Sequence, residues 1–145
     1  MPVKFIIAGT ILIMLAIIDA VSLKIPNSLL VILLLSSIVY DLIFEHAKFA
    51  SGCISFLVMF IIFGGIYYFY GGLGFGDVKL VACISYVTGF MPAVIICFIA
   101  SLFGLIVFVF LLKFKVGKQI KIPFAPFLTL AYCVVIIVGV SLYEC

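Results

Sequence analysis

Residues 5–21 read FIIAGTILIMLAIIDAV, and residues 22–27 continue SLKIPN. The first stretch holds a single ionisable side chain, Asp19. A bilayer core takes about 20 apolar residues in helical form, so the run reads as a membrane-crossing helix. Its stop has a chemical cause. Pro26 lacks an N–H and pushes Ile25 out of the α region, so the helix must end before it. Asn27 or Ser28 is then placed to cap the next helix. Lys4 gives the front of the run a signal-peptide look. No A-x-A-like site follows and more apolar runs do, so the helix reads as retained.

The pattern continues along the chain. Apolar runs follow at about Leu29–Phe44 and Phe49–Tyr70, then a glycine-rich stretch, Gly71–Gly76. A short run from Asp77 to Gly89 covers roughly 20 Å as a helix, and longer runs follow at Pro92–Leu112 and Pro123–Tyr143. Gly89 suits a helix C-cap, and Pro92, Pro123 and Pro126 suit helix starts. Composition agrees. Of 145 residues 69% are hydrophobic and 9% charged, with mean hydropathy +1.63. A soluble domain is about 45–50% apolar and about 25% charged, so a soluble fold is excluded. A nucleic-acid binder is excluded too, because the net charge of +3 rests on eight lysines and no arginine. The expected fold is an all-α polytopic transmembrane bundle of about six spans. Residues 1–145 are expected to form one integral-membrane domain, with no separate soluble domain. The five cysteines form no C-x-x-C pair, and four sit inside apolar runs. They read as small membrane hydrophobes.

Lysine placement gives the orientation. Six spans put both termini on one side. Lys24, Lys79, Lys113, Lys115, Lys118 and Lys121 fall in one set of connections, Lys4 and Lys48 in the other. The lysine-rich set is expected in the cytoplasm, with both termini outside and the protein multi-pass in the plasma membrane.

Ionisable residues inside spans are costly and are functional candidates. Asp19 has two readings: a functional carboxylate, or an interfacial one reaching water, paired with Lys24. Asp77 follows Gly71, Gly72, Gly74 and Gly76. It reads either as a loop-ending N-cap or as a carboxylate set where backbone can approach closely. Together the two say more. The first helix runs inward and the fourth runs outward from the cytoplasm, so Asp19 and Asp77 share a depth. Facing carboxylates cannot both ionise cheaply, so one keeps a proton while the other is charged. An aspartic protease needs that arrangement: one carboxylate takes a proton from water, the other gives one to the scissile carbonyl. The chemistry calls for no metal and no cofactor.

Three blocks carry a family resemblance: Asp19 with Lys24-Ile25-Pro26-Asn27, Gly74-Phe75-Gly76-Asp77-Val78-Lys79-Leu80, and Ile122-Pro123-Phe124-Ala125-Pro126-Phe127. The chain resembles the type IV prepilin peptidases, polytopic aspartic proteases of the GxGD class, with Ala125 where that family usually has Gly. The resemblance implies removal of the short basic leader of prepilins or pseudopilins at the cytoplasmic face. Asp19 and Asp77 match the catalytic pair. Lys79 would bind a substrate carboxylate, tune Asp77, or hold its helix at the headgroups. Pro26 and Asn27 would shape the turn after the first helix, beside Lys24. Gly74 and Gly76 would let substrate backbone approach Asp77, and Pro123 to Phe127 would pack near the site. Longer members add a cytoplasmic C-x-x-C domain and N-methylate the new terminus. With no such motif, this chain is expected to act as a short, single-domain peptidase without methyltransferase activity.

Three other readings compete, one of them a non-enzymatic pilus-assembly subunit, which would tolerate loss of both aspartates. Presenilin-like and signal-peptide-peptidase-like proteases carry G-x-G-D with a Tyr-Asp pair, and Tyr40-Asp41 is present. Asp41 lies fourteen residues past Asn27, roughly 21 Å along a helix, near the outer face and away from Asp77. Asp41, Glu45, His46 and Lys48 read instead as an outer loop with its flanks. A small transporter or proton path would use the same carboxylates but needs further polar groups toward the outer side. Ser101, Thr129 and Tyr132 are the chief ones in the last two runs.

Overall fold

The computed structural model describes residues 3–22, 24–70, 74–113 and 123–143. These residues form six helices: α1 (Val3–Ser22), α2 (Asn27–Phe44), α3 (His46–Tyr70), α4 (Phe75–Thr88), α5 (Phe90–Lys113) and α6 (Ala125–Tyr143). Each boundary lies within three residues of the sequence expectation. Proline and glycine account for the agreement. Pro26, at φ −70°, stands immediately before α2. Gly89 ends α4 at φ +90°, a conformation that side chains rarely adopt, and its N–H donates to the Ser85 carbonyl at 2.9 Å. Pro92 and Pro126 lie in the first turns of α5 and α6, where a missing N–H costs nothing. One expectation is corrected: neither Asn27 nor Ser28 caps α2. Asn27 is already helical, and its carboxamide is turned toward α4.

Helix α4 is the axis of the bundle. It packs against α1, α2, α3 and α5, while α1–α2, α2–α3, α3–α5, α5–α6 and α6–α1 contacts close a ring around it. Val78 and every residue from Leu80 to Val87 are buried. A helix buried on all sides needs no polar face, which explains why α4, beyond the Asp77 and Lys79 of its first turns, carries no charge. Its fourteen residues reach only about 21 Å, less than a bilayer's hydrocarbon thickness of about 30 Å. The ring helices meet the lipid instead. Helices α1, α2, α3 and residues Phe90–Phe110 of α5 are long and apolar enough to cross, and α6 adds a shorter apolar stretch, Ala125–Gly139. The chain is a multi-pass membrane protein with a short helix enclosed at its centre.

The ring helices bury narrow stripes at helical spacing. On α1 the stripe is Lys4, Ala8, Leu12, Leu15 and Asp19. On α2 it is Leu30, Leu33, Ser37 and Asp41. Each stripe therefore carries ionisable side chains into the bundle, while Ile13, Met14 and Ile17 of α1 remain exposed for lipid. Helix α6 is tied to α1 by hydroxyls: Tyr132 donates to the Phe5 carbonyl at 3.0 Å, and Thr129 to the Leu12 carbonyl at 3.2 Å.

Candidate active site

One end of the bundle gathers the end of α1, the turn into α2, and the starts of α4 and α6. Asp19 closes the inward stripe of α1 and is 5% exposed. Its carboxylate Oδ2 accepts the backbone N–H of Ala125 at 3.2 Å. Ala125 is the first residue of α6, so Asp19 meets a helix N-terminus, where unpaired N–H groups and the helix dipole favour negative charge. Its partner is thus α6, and Lys24, exposed in the turn after α1, makes no ion pair with it.

Asp77 sits in the first turn of α4, half-buried, at the same end of the bundle as Asp19. Gly74, not Asp77, is the residue that caps the helix: its carbonyl accepts the Asp77 N–H at 3.0 Å. The Asp77 side chain folds back over Gly74. A Cβ added there would stand 3.0 Å from Asp77 Oδ2, a tight contact that the carboxyl group would have to shift to relieve. Gly76 faces Ile25 of the α1–α2 turn, and a Cβ on it would stand 3.2 Å from Ile25 Cβ. The space at both glycines is therefore taken by the chain's own side chains.

The α1–α2 turn and α4 meet a second time. Lys79 Nζ donates to Asn27 Oδ1 at 3.2 Å and lies 4.7 Å from the centre of the Phe75 ring. Pro26 lies beside this contact at the start of α2. Pro123 and Pro126 flank Ala125 and are half-buried. Asp19, Asp77, Gly74, Gly76, Lys79, Pro26, Asn27, Pro123 and Pro126 thus gather at one end from three stretches of chain. The lysine-rich residues 115–121 lie outside the described residues.

The opposite end corrects the outer-loop expectation. Asp41 lies in the last turn of α2, fully buried, and takes Lys4 Nζ at 2.7 Å on both carboxylate oxygens. Lys4 is itself 5% exposed and lies 5.2 Å from the Tyr86 ring centre. Tyr86 is nine residues beyond Asp77, roughly 13 Å along α4, so Asp41 is engaged far from Asp77. The physical reason is burial: a carboxylate on an inward stripe needs a partner, and Lys4 enters at the same depth on the antiparallel helix. Glu45 and Lys48 do behave as a surface pair, at 3.0 Å, and His46 is exposed. A cavity of about 250 Å³, lined by Lys4, Glu45, Lys48 and Tyr86 among others, opens at this end. Between the two ends, the buried hydroxyls of Ser37, Ser55, Ser85 and Thr129 donate to backbone carbonyls.

Two contributors escaped the sequence reading, the Ala125 N–H and the Ile25 side chain. The first is a backbone group and leaves no mark in residue identity. The second sat within the quoted K-I-P-N block but looked like one apolar residue among many. The Lys4–Asp41 pair had a readable signal: opposite charges at matching depths on adjacent antiparallel helices.

Comparison with known proteins adds the rest. A sequence model described as the Type IV leader peptidase family matches residues 6–109. Two relatives from Aeromonas salmonicida, one of them from strain A449, are each described as a prepilin leader peptidase/N-methyltransferase. Each is 25% identical to this chain over 139 residues, covering 91% of it and 48% of the relative. The chain thus spans about half the length of the curated relatives it matches. No solved structure matches.

Proposed function

The chain belongs to the type IV leader peptidase family, and we propose that it is a membrane aspartic endopeptidase in which Asp19 and Asp77 form the catalytic pair. Its substrates on this reading are prepilins or prepilin-like proteins, and the bond cut joins a short basic leader to an apolar helix. The supporting observation is that Asp19, buried at the end of α1, and Asp77, in the first turn of α4, lie at the same end of the bundle, where Gly76 packs on Ile25 of the α1–α2 turn. In the reaction the ionised carboxylate removes a proton from water as the oxygen attacks the scissile carbonyl carbon. The protonated one gives its proton to the carbonyl oxygen, leaving a neutral tetrahedral diol. Collapse of the diol breaks the C–N bond as one carboxyl gives its proton to the leaving amine and a diol hydroxyl passes its proton to the other carboxylate. The Ala125 N–H holds Asp19 in place through the cycle, and Gly74 leaves the Asp77 carboxyl room to lie against α4.

Positive-inside placement of the lysines supports a cytoplasmic position for this end, with both termini outside. The proposed activity is hydrolysis alone, the chemistry that Asp19 and Asp77 supply, and does not extend to the N-methylation named for the relatives. The test is co-expression with a prepilin and a gel shift for loss of the leader. Cleavage at the junction of leader and apolar helix supports the reading. A prepilin panel left at full length by a well-accumulated protein counts against it.

A further inference from the structure

The two glycines before Asp77 were expected to admit substrate backbone, yet at Gly76 the approach is already occupied. A Cβ there would stand 3.2 Å from Ile25 Cβ, 3.6 Å from its Cγ1 and 3.5 Å from its Cδ1. Resting on the peptidase reading, we infer that Ile25 seated on Gly76 is a positioning contact that sets the spacing of Asp19 and Asp77. The hydrogen bond from Lys79 to Asn27 is its second tie.

Neither side of the contact gives way easily. On one side α4 is enclosed from Val78 to Val87, save for the half-buried Lys79, so it cannot shift without repacking several neighbours. On the other side Ile25 precedes a proline and is held to extended conformations. Pro26 in turn fixes the entry into α2. Only four residues, 23–26, separate Ser22 from Asn27. A push at Ile25 is therefore passed to the last turn of α1, which carries Asp19. Asp77 directly follows Gly76 in the chain. The contact thus joins the neighbour of one carboxylate to the turn that ends the helix of the other.

A methyl group at position 76 demands a shift of a few tenths of an ångström. A 1 Å misplacement of reacting groups can cost about 10²-fold in rate, so the loss here is on the order of tenfold. The loss should fall on kcat, with KM unchanged, because the substrate is held as before. If Gly76 instead admits substrate backbone, the added methyl raises KM, and no change at Ile25 repairs it.

The experiment uses the purified full chain and a cleavable prepilin, comparing parental protein, Gly76→Ala, Ile25→Gly and the double variant. The expected result is a lower kcat at parental KM for Gly76→Ala and recovery of most of that loss in the double variant, which has moved the Cβ across the contact. A double variant no better than Gly76→Ala overturns the inference, as does a Gly76→Ala protein with parental kcat. Should Ile25→Gly fail to accumulate, Ile25→Ala replaces it: the 3.2 Å Cβ contact stays, but loss of the Cγ1 and Cδ1 atoms leaves the turn room to yield. Partial recovery then supports the inference and none overturns it. A parental protein that cleaves no prepilin sinks the peptidase reading itself, and this inference with it.

Discussion

Ala125 donates its backbone N–H to the carboxylate of Asp19, 106 residues earlier in the chain, at 3.2 Å. This bond fastens the start of α6 to the end of α1 at the candidate active site. It also gives the P-F-A-P stretch a physical task, which is to present a free N–H at a helix start where a carboxylate lies. Ala125→Pro removes that N–H while keeping a residue suited to the first helical position. A hydrogen bond to a charged group contributes about 1.5–3 kcal/mol, so cleavage should slow by roughly ten- to a hundredfold. Ala125→Gly retains the N–H and should lose much less. Rates of leader removal at equal enzyme level decide it, and equal losses in both variants would show that the N–H is unimportant.

The Lys4–Asp41 pair makes a prediction about stability. Removing one partner of a buried ion pair costs about 3–5 kcal/mol, whereas replacing both by apolar residues of similar size is often close to neutral. Lys4→Met and Asp41→Asn should each lower the thermal unfolding temperature of detergent-solubilised protein. Lys4→Met with Asp41→Leu should recover most of the loss and cleave at the parental rate, because the pair lies at the end of the bundle away from Asp77. A double variant as unstable as the singles would mean that the charges themselves hold this end together.

Orientation can be read from two exposed lysines at opposite ends, Lys24 and Lys48. In a variant with all five cysteines replaced, Lys48→Cys should react with a membrane-impermeant maleimide in intact cells. Lys24→Cys should react only after permeabilisation. The reverse pattern would put the aspartates on the outer side and contradict leader removal in the cytoplasm.

Much of this architecture was legible because membrane chemistry simplifies the text. Apolar length marks the helices, and Pro26, Gly89, Pro92 and Pro126 mark their ends. Asp19 and Asp77 stood out because carboxylates in apolar runs are costly and helix direction placed them at one depth. The same depth argument applies to Lys4 and Asp41, but Asp41 lies close to Glu45, His46 and Lys48, and its charged neighbours made it look solvated. Only the inward stripe Leu30, Leu33, Ser37 and Asp41 distinguishes it from them. The fit of Ile25 to Gly76 and the bond from Ala125 depend on how three helix ends meet. No spacing along one segment encodes that.

The central claim is that Asp19 and Asp77 perform the hydrolysis as a pair, and the most direct measurement is leader cleavage by Asp19→Asn and Asp77→Asn. Each change keeps size and hydrogen-bonding capacity but removes ionisation, and neither carboxylate can take over its partner's task. General acid–base catalysis contributes about 10²–10⁴-fold, so each variant should leave a co-expressed prepilin unprocessed while accumulating to parental levels in the membrane. The Lys4→Met/Asp41→Leu protein, assayed alongside, should process it fully. Parental cleavage by either asparagine variant would contradict the account.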